Sequence, residues 1–154
     1  MLDVASLRLP IFGKLVRKGV IARFSRTLST TFSAGMPLVE SLKIVAMSTG
    51  NMLYEKKILE IRDAVSTGRP LNLCMEESKV FPLEVVQMVA IGEETGAIDQ
   101  MLGKIAAIYE EEVDIMVDGL SSLMEPLIIC FIGIVVGGLV IAMYLPIFEL
   151  GSVV

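Results

Sequence analysis

Apolar residues recur at three-to-four spacing through most of the chain, a pattern that predicts amphipathic helices. Turn signals such as Gly35-Met36-Pro37 and Gly68-Arg69-Pro70 divide the pattern, because glycine suits the end of a helix and proline its first turn. The predicted helices cover about residues 14–34, 37–48, 52–66, 70–77, 81–95 and 97–124. No segment between turn signals alternates with period two, so we predict an all-α fold, a six-helix antiparallel bundle with short connections.

A different pattern follows the last of these helices. Between Glu125 and Glu149 lie 23 consecutive uncharged residues. As a helix this run extends roughly 34 Å, enough to cross a hydrocarbon core of about 30 Å. The alternative is a buried helix of a soluble domain, but such helices seldom contain more than about 14 consecutive apolar residues. The sequence therefore predicts four regions: a lead-in segment at 1–13, the six-helix domain at 14–125, a transmembrane helix at 126–148 and a short tail at 149–154.

Helical spacing also predicts which residues form the core. On the third helix the inward positions are Leu53, Ile58, Ile61 and Val65. Over the whole bundle, the positions expected to be most buried are Phe24, Leu28, Ile61, Val86, Val89, Leu102, Ile105 and Tyr109.

The net charge of −5 is unevenly distributed along the chain. Residues 1–26 carry six basic side chains against Asp3, whereas residues 76–125 carry twelve acidic side chains and two basic ones. The basic stretch either lies on anionic lipid headgroups or forms an ordinary solvated helix face, and the sequence leaves both open. Nucleic acid is an unfavourable partner, because the domain is acidic overall and its basic residues are not interleaved with aromatic ones.

Motifs for catalysis or cofactor binding are scarce. The chain has no histidine, the commonest general base and metal ligand, and no Gly-x-Ser-x-Gly elbow. Its glycine-rich segments lack the Lys-Ser/Thr pattern of a phosphate-binding loop. Cys74 and Cys130 give no disulfide framework, since Cys130 lies in the apolar run. We therefore expect no enzymatic activity, no cofactor and no metal ion.

Three carboxylates in the acidic stretch share one helix face, since Glu110, Asp114 and Asp118 are spaced four residues apart. Such a face is self-repelling unless basic side chains, a partner or a metal ion meet it. Oxygen ligands suit calcium or magnesium, but this spacing matches no ion-binding loop. A plain solvated face, a partner-docking face and, as the least favoured of the three, a metal site remain open.

Two features of the apolar run concern how it packs and how it joins the bundle. Gly133 and Gly137, followed by Gly138, match the small-xxx-small pattern that lets membrane helices approach closely. Glu125-Pro126 marks the junction, where proline predicts a kink or hinge. A simple first-turn proline at the start of a separate helix is the alternative.

Several short motifs occur in a fixed order along the chain. They are Ala22-Arg23-Phe24-Ser25-Arg26-Thr27-Leu28-Ser29, Ala34-Gly35-Met36-Pro37-Leu38, Gly92-Glu93-Glu94-Thr95-Gly96, Tyr109-Glu110-Glu111-Glu112-Val113, Leu123-Met124-Glu125-Pro126 and Ala142-Met143-Tyr144-Leu145-Pro146-Ile147-Phe148. This ordered set resembles the F-type platform proteins of type II secretion and type IV pilus systems. The closing segment, from Tyr144 to Val154, resembles the pilus branch more than the secretion branch.

The resemblance implies a multi-pass protein of the bacterial inner membrane, with two copies of a six-helix cytoplasmic domain and no enzymatic activity. It implies coupling of a cytoplasmic assembly ATPase to pilin or pseudopilin, contact with other inner-membrane assembly proteins and membrane lipid, and a homo-oligomer. Family members are normally longer, so this chain corresponds to their second cytoplasmic domain and last span. With the lack of a signal-peptide core in MLDVASLRLP, this places residues 1–125 in the cytoplasm and 149–154 outside the membrane. Alternative contact points for a partner are the Gly35-Met36-Pro37 turn and the Gly92-Glu93-Glu94-Thr95-Gly96 segment at the end of the fifth helix, with Glu93 and Glu94.

Two other classes compete with a platform. One is a single-span helical adaptor unrelated to pili. The other is a membrane enzyme or proton carrier using Glu125 or Asp118 at the bilayer edge, since ionisable groups near membrane depth are functional candidates.

Overall fold

The computed structural model describes residues 10–152, so residues 1–9 of the lead-in and 153–154 of the tail lie outside it. The described residues form helices and no strands. This confirms the predicted all-α class with an apolar C-terminal helix. The helices are α1 (Pro10–Ser33), α2 (Leu38–Ser48), α3 (Met52–Ser66), α4 (Leu71–Ser78), α5 (Leu83–Thr95) and α6 (Ile98–Ser152).

The chain divides into two compact units, one up to Asp114 and one from Ile115 onward. The first unit contains α1 to α5 and the start of α6, and its core draws residues from each of these helices. All eight positions predicted to be most buried lie in this core, each 5% exposed or less. Phe24 and Phe81 meet there with ring centroids 4.8 Å apart. Helical spacing was therefore sufficient to find the centre of the bundle.

The prediction for the first turn of α3 was wrong. Leu53 is 40% exposed, and its neighbour Tyr54 is buried instead, with its hydroxyl donating to the carbonyl of Val80 at 3.3 Å. Leu53 lies five residues before Ile58, about 140° around the helix, whereas Tyr54 lies four residues before it. Asn51 fixes this register, because its side-chain oxygen accepts from the backbone N–H of Leu53 at 3.0 Å and caps the helix.

The second unit consists of the rest of α6. This helix runs without interruption through Pro126 and Pro146. The alternative, a first-turn proline that begins a separate helix, is therefore excluded. The helix also continues past Glu149 into the predicted tail. Any bend at Glu125 and Pro126 occurs within one helix, and a hinge there stays a prediction.

Of the described helices, α6 alone is long and apolar enough to cross a membrane. Its most apolar 18-residue window has a mean hydropathy of 2.7, and none of that window is buried. A core helix of a soluble domain shields its apolar residues, whereas these apolar side chains are exposed. The finding agrees with the predicted span.

Candidate functional site

The first predicted docking residue, Glu110, is already engaged within the first unit. Arg26 on α1 donates to it through two nitrogens, Nε to Oε1 at 2.9 Å and Nη2 to Oε2 at 3.0 Å. The hydrogen bonds from Arg26 lower the pKa of the Glu110 carboxyl, and the same contact raises the pKa of the guanidinium. Two residues further on, Glu112 pairs with Lys18 of α1 at 2.8 Å. These two pairs connect α1 to α6.

A third basic side chain of α1 binds the end of α2. The guanidinium of Arg23 donates to the carbonyl oxygen of Ser48 at 3.3 Å, and the carbonyl of Thr49 lies 3.5 Å from the same nitrogen. The last carbonyls of a helix lack partners within it, and a nearby cation satisfies them. Lys18, Arg23 and Arg26 therefore all have partners within the protein. These contacts favour a structural role for much of the basic stretch, and lipid contact stays a prediction.

The other two predicted carboxylates are exposed. Asp114 lines a shallow groove of the first unit together with Gly19, Arg23 and Arg26. Asp118 lies in the second unit, where its backbone carbonyl accepts from the hydroxyl of Ser122 at 2.9 Å. Among residues 10–152 neither carboxylate forms an ion pair, and no group of three potential metal ligands is arranged to hold an ion. A docking role for these aspartates stays a prediction.

Glu93 caps a neighbouring helix, a role that sequence reasoning missed. Its two carboxylate oxygens accept from the backbone N–H groups of Leu71 at 3.0 Å and Asn72 at 2.6 Å, at the start of α4. Pro70 occupies the N-cap position there and provides no side-chain oxygen. That absence was a signal of a distant cap, but it did not identify which residue would supply it. Glu94, one residue later, is exposed.

The glycines on either side of Glu93 and Glu94 shape the turn into α6. A Cβ on Gly92 would lie 3.0 Å from the Cα of Ile98 and 3.2 Å from Cγ of Met101, so a side chain here would require α6 to shift by a few tenths of an ångström. Gly96 ends α5 in the left-handed conformation, with φ of 72°. The Gly-Glu-Glu-Thr-Gly motif is thus largely explained by packing and capping, and partner contact through Glu94 stays a prediction.

The three glycines predicted to pack membrane helices lie on exposed positions of the second unit. A Cβ added to Gly133, Gly137 or Gly138 meets no atom within 4 Å among the described residues. The pattern for close approach is present on this helix. Self-association through it stays a prediction.

A cavity of about 470 Å³ in the first unit is lined in part by exposed basic side chains. We call it the cationic pocket. Ile21, Tyr54, Val80, Phe81, Pro82 and Tyr109 contribute its apolar surface, and the other lining residues are Lys14, Arg17, Lys18, Leu53, Lys79, Glu84 and Glu112. The Tyr109 hydroxyl donates to Glu84 at 2.6 Å. Burial, and next the hydrogen bond to Glu84, raise the pKa of Tyr109 above its ordinary value.

Over residues 10–152, helical packing in the first unit and the apolar, exposed part of α6 in the second define a helical chain with one candidate membrane span. The model of the family described as Type II secretion system (T2SS), protein F matches residues 24–146. The chain belongs to this family. The resemblance seen in the ordered motifs is thereby confirmed.

Curated relatives support the same assignment and separate its two branches. The chain is 54% identical over 153 residues to the type IV pilus assembly protein PilC of Pseudomonas aeruginosa, covering 99% of this chain and 41% of that protein. It is 53% identical to the type IV pilus assembly protein TapC of Aeromonas hydrophila, covering 99% of this chain and 37% of TapC. Identity to the type II secretion system protein F of P. aeruginosa is 35%, covering 96% of this chain and 36% of that protein. The chain therefore spans about two fifths of the length of these relatives.

Proposed function

We propose that this chain is part of an inner-membrane platform that assembles type IV pili. The observation that carries the proposal is the similarity over almost the entire chain to proteins named for type IV pilus assembly, at 54% and 53% identity. The lower identity of 35% to a secretion-system protein F favours the pilus branch. In this role the first unit lies in the cytoplasm, and the apolar part of α6 crosses the inner membrane.

The proposed platform couples a cytoplasmic ATPase to the insertion and extraction of pilin, without catalysing a reaction itself. Such coupling requires one continuous helix that belongs both to a folded domain and to a membrane segment. Helix α6 meets this requirement, because its early residues Leu102 and Ile105 are buried in the bundle while its later residues form the apolar run.

The proposed partners follow from this role and from the surfaces that are accessible. The ATPase docks on the exposed carboxylates Asp114 and Asp118, whereas Glu110 serves mainly to hold Arg26. Copies of the platform associate through Gly133, Gly137 and Gly138, because small residues let helices approach closely in lipid. Pilin and other inner-membrane assembly proteins contact the assembled platform.

A domain-replacement experiment tests the proposal. Residues 1–154 replace the matching segment of P. aeruginosa PilC in a strain that lacks that protein, and surface pili are counted by electron microscopy. We expect pili to return. The same replacement in the type II secretion system protein F of P. aeruginosa provides the comparison, with secretion as its readout.

Each outcome has a definite meaning. Restored pili without restored secretion supports the pilus platform. Restored secretion without pili assigns the chain to the secretion branch instead. Failure of both replacements, with normal levels of membrane-inserted protein, contradicts the platform and favours a single-span adaptor.

A further inference from the structure

The cationic pocket contrasts with the acidic chain that contains it. Four basic and two acidic side chains line it, so its lining carries a net charge of +2, whereas the whole chain carries −5. Its volume of about 470 Å³ falls within the range of ligand sites, roughly 300–1,000 Å³. An apolar surface surrounded by cations favours a ligand that is itself partly apolar and negatively charged.

The two acids of the pocket are already engaged by other groups. Glu112 pairs with Lys18 at 2.8 Å, and Glu84 accepts a hydrogen bond from the hydroxyl of Tyr109 at 2.6 Å. Among the described residues, Lys14, Arg17 and Lys79 form no ion pair. Three cations with unengaged charge therefore surround an apolar floor.

The charge of Arg17 acts on Tyr54, one of the residues of that apolar floor. Burial raises the pKa of Tyr54, and the positive charge of Arg17 opposes this rise. Both residues line the pocket, so one ligand that fills it can meet both. A carboxylate placed on the rim would meet Arg17 while an apolar group lay against the rings beneath.

Lys79 adds an independent observation, because it holds a strained backbone. Its φ of 58° and ψ of 13° place it in the left-handed region, and it is the one residue other than glycine with positive φ among residues 10–152. Glycine is the usual residue at the end of a helix in this conformation, and strained positions cluster at binding sites. A lysine at this position points to a use for its charged side chain.

We propose that the cationic pocket binds an acidic peptide segment of a protein partner, with one large apolar side chain on the floor and flanking carboxylates on Lys14, Arg17 and Lys79. An inorganic phosphate or a lipid headgroup would satisfy the cations and leave the apolar floor uncovered. A peptide with an apolar residue between acidic ones satisfies both. The proposal does not depend on the platform role, because it follows from the pocket alone.

Binding is measured with the full chain in detergent micelles, by anisotropy of a fluorescein-labelled peptide, Asp-Glu-Phe-Leu-Glu-Asp. One control peptide, Asp-Glu-Ser-Gly-Glu-Asp, keeps the charge and lacks the apolar side chains. The pocket variant is the double substitution Lys14→Glu and Arg17→Glu. The matched control is Lys43→Glu with Lys56→Glu, which makes the same charge change at two exposed lysines outside the pocket.

We expect the pocket variant to weaken binding of the first peptide roughly tenfold, and the control variant to leave it nearly unchanged. The control peptide should bind more weakly to the unmodified chain. Lys79→Gly separates binding from folding, because glycine relieves the strain and removes the charge. That variant should melt at a higher temperature and yet bind the first peptide less tightly.

Three results would overturn the proposal. Equal loss of binding in the pocket and control variants would show that the peptide responds only to overall charge. Equal binding of the two peptides would show that the apolar floor does not contribute to binding. Displacement of the peptide from the unmodified chain by inorganic phosphate, or by vesicles containing phosphatidylglycerol, would make the pocket a phosphate or lipid-headgroup site.

Discussion

Arg26 on α1 and Glu110 on α6 form a bidentate ion pair across 84 residues of sequence, with N···O distances of 2.9 and 3.0 Å. The planar guanidinium matches the carboxylate, so both nitrogens donate with good geometry. Each side chain is nearly half exposed, 47% for Arg26 and 46% for Glu110. The pair joins the first helix of the bundle to the last, and water screens it.

The first prediction concerns the free energy of this pair. We expect the coupling energy between Arg26 and Glu110 to be about 1 kcal/mol or less, because exposed pairs are weak even when bidentate. A double-mutant cycle with Arg26→Ala, Glu110→Ala and the double variant measures it, by chemical unfolding of the full chain in detergent. A coupling energy well above ~1 kcal/mol would contradict the weak, water-screened pair expected from these exposed side chains.

The same pair predicts a dependence on pH. Arg26 lowers the pKa of Glu110 below its ordinary value of 4.5, so the unfolded carboxyl binds protons more readily than the folded one. The contribution of the ion pair to the free energy of unfolding is present above pH 4.5. It is lost as pH falls through the lower pKa that Glu110 has in the folded state. When the free energy of unfolding is measured at decreasing pH, the Glu110→Gln variant should lose less of it over this window than the unmodified chain. Identical acid profiles would contradict the assignment.

The second prediction concerns the close approach of α5 and α6. Gly92→Ala should lower the free energy of unfolding by about 1–3 kcal/mol, because the new methyl group would lie 3.0 Å from a backbone atom of Ile98. Chemical unfolding of the full chain in detergent measures the change.

Gly19 supplies the matched control for this substitution. It lies inside α1, and a Cβ added there meets no described atom within 4 Å. Gly19→Ala should therefore stabilise the chain by roughly 0.5–1 kcal/mol through helix propensity. If both variants change stability in the same direction, close packing at Gly92 is not the cause.

The third prediction separates two adjacent carboxylates. Glu93→Ala should lower the free energy of unfolding by about 1–2 kcal/mol, because it leaves the N–H groups of Leu71 and Asn72 without their acceptor. Glu94→Ala, at an exposed neighbour, should change it by no more than about 0.5 kcal/mol. Thermal and chemical unfolding measure both. Similar effects at the two positions would contradict a cap supplied by Glu93 alone.

Periodicity predicted the helices and the centre of the core because both depend on local spacing. Phe24, Leu28, Leu102 and Ile105 each lie on the apolar stripe of a helix, and burial follows from that stripe. The error at Leu53 has a local cause as well. The cap at Asn51 sets where the first turn begins, and an error of one residue rotates the inward face by about 100°.

The candidate site was harder to predict because its contacts are distant in sequence. Sequence spacing placed Glu110 on an acidic face, but its partner Arg26 lies 84 residues away. The cap from Glu93 to Asn72 crosses 21 residues, and no local signal links the two. The strained backbone of Lys79 had no sequence marker at all, since a lysine gives no indication of positive φ. Such features follow from tertiary packing, which a periodic pattern does not specify.

The fourth prediction concerns orientation in the membrane. A periplasm-active reporter fused after Val154 should be active, and the same reporter inserted at Gly50 should be inactive. Gly50 lies in the short connection between α2 and α3, so an insertion there leaves the helices intact. Both fusions contain the full chain, including its apolar run, and immunoblots confirm that the two fusion proteins are present at equal levels. Activity of the reporter inserted at Gly50 would contradict the proposed topology, because it would place the first unit in the periplasm.

The fifth prediction concerns the surface proposed for the ATPase. Asp114→Lys with Asp118→Lys should abolish pili in the P. aeruginosa replacement strain, because the reversed charges repel a basic docking surface. Both residues are exposed and form no ion pair among the described residues, so membrane insertion and unfolding should change little.

Glu40→Lys with Glu76→Lys makes the same charge change at two exposed glutamates elsewhere on the bundle. This control variant should retain pili, so that loss in the aspartate variant can be assigned to position rather than to net charge. Protein levels in membrane fractions are matched by immunoblot before pili are counted. Normal piliation in the aspartate variant would mean that Asp114 and Asp118 are simply solvated. The proposal that an ATPase docks at these two residues would then be abandoned.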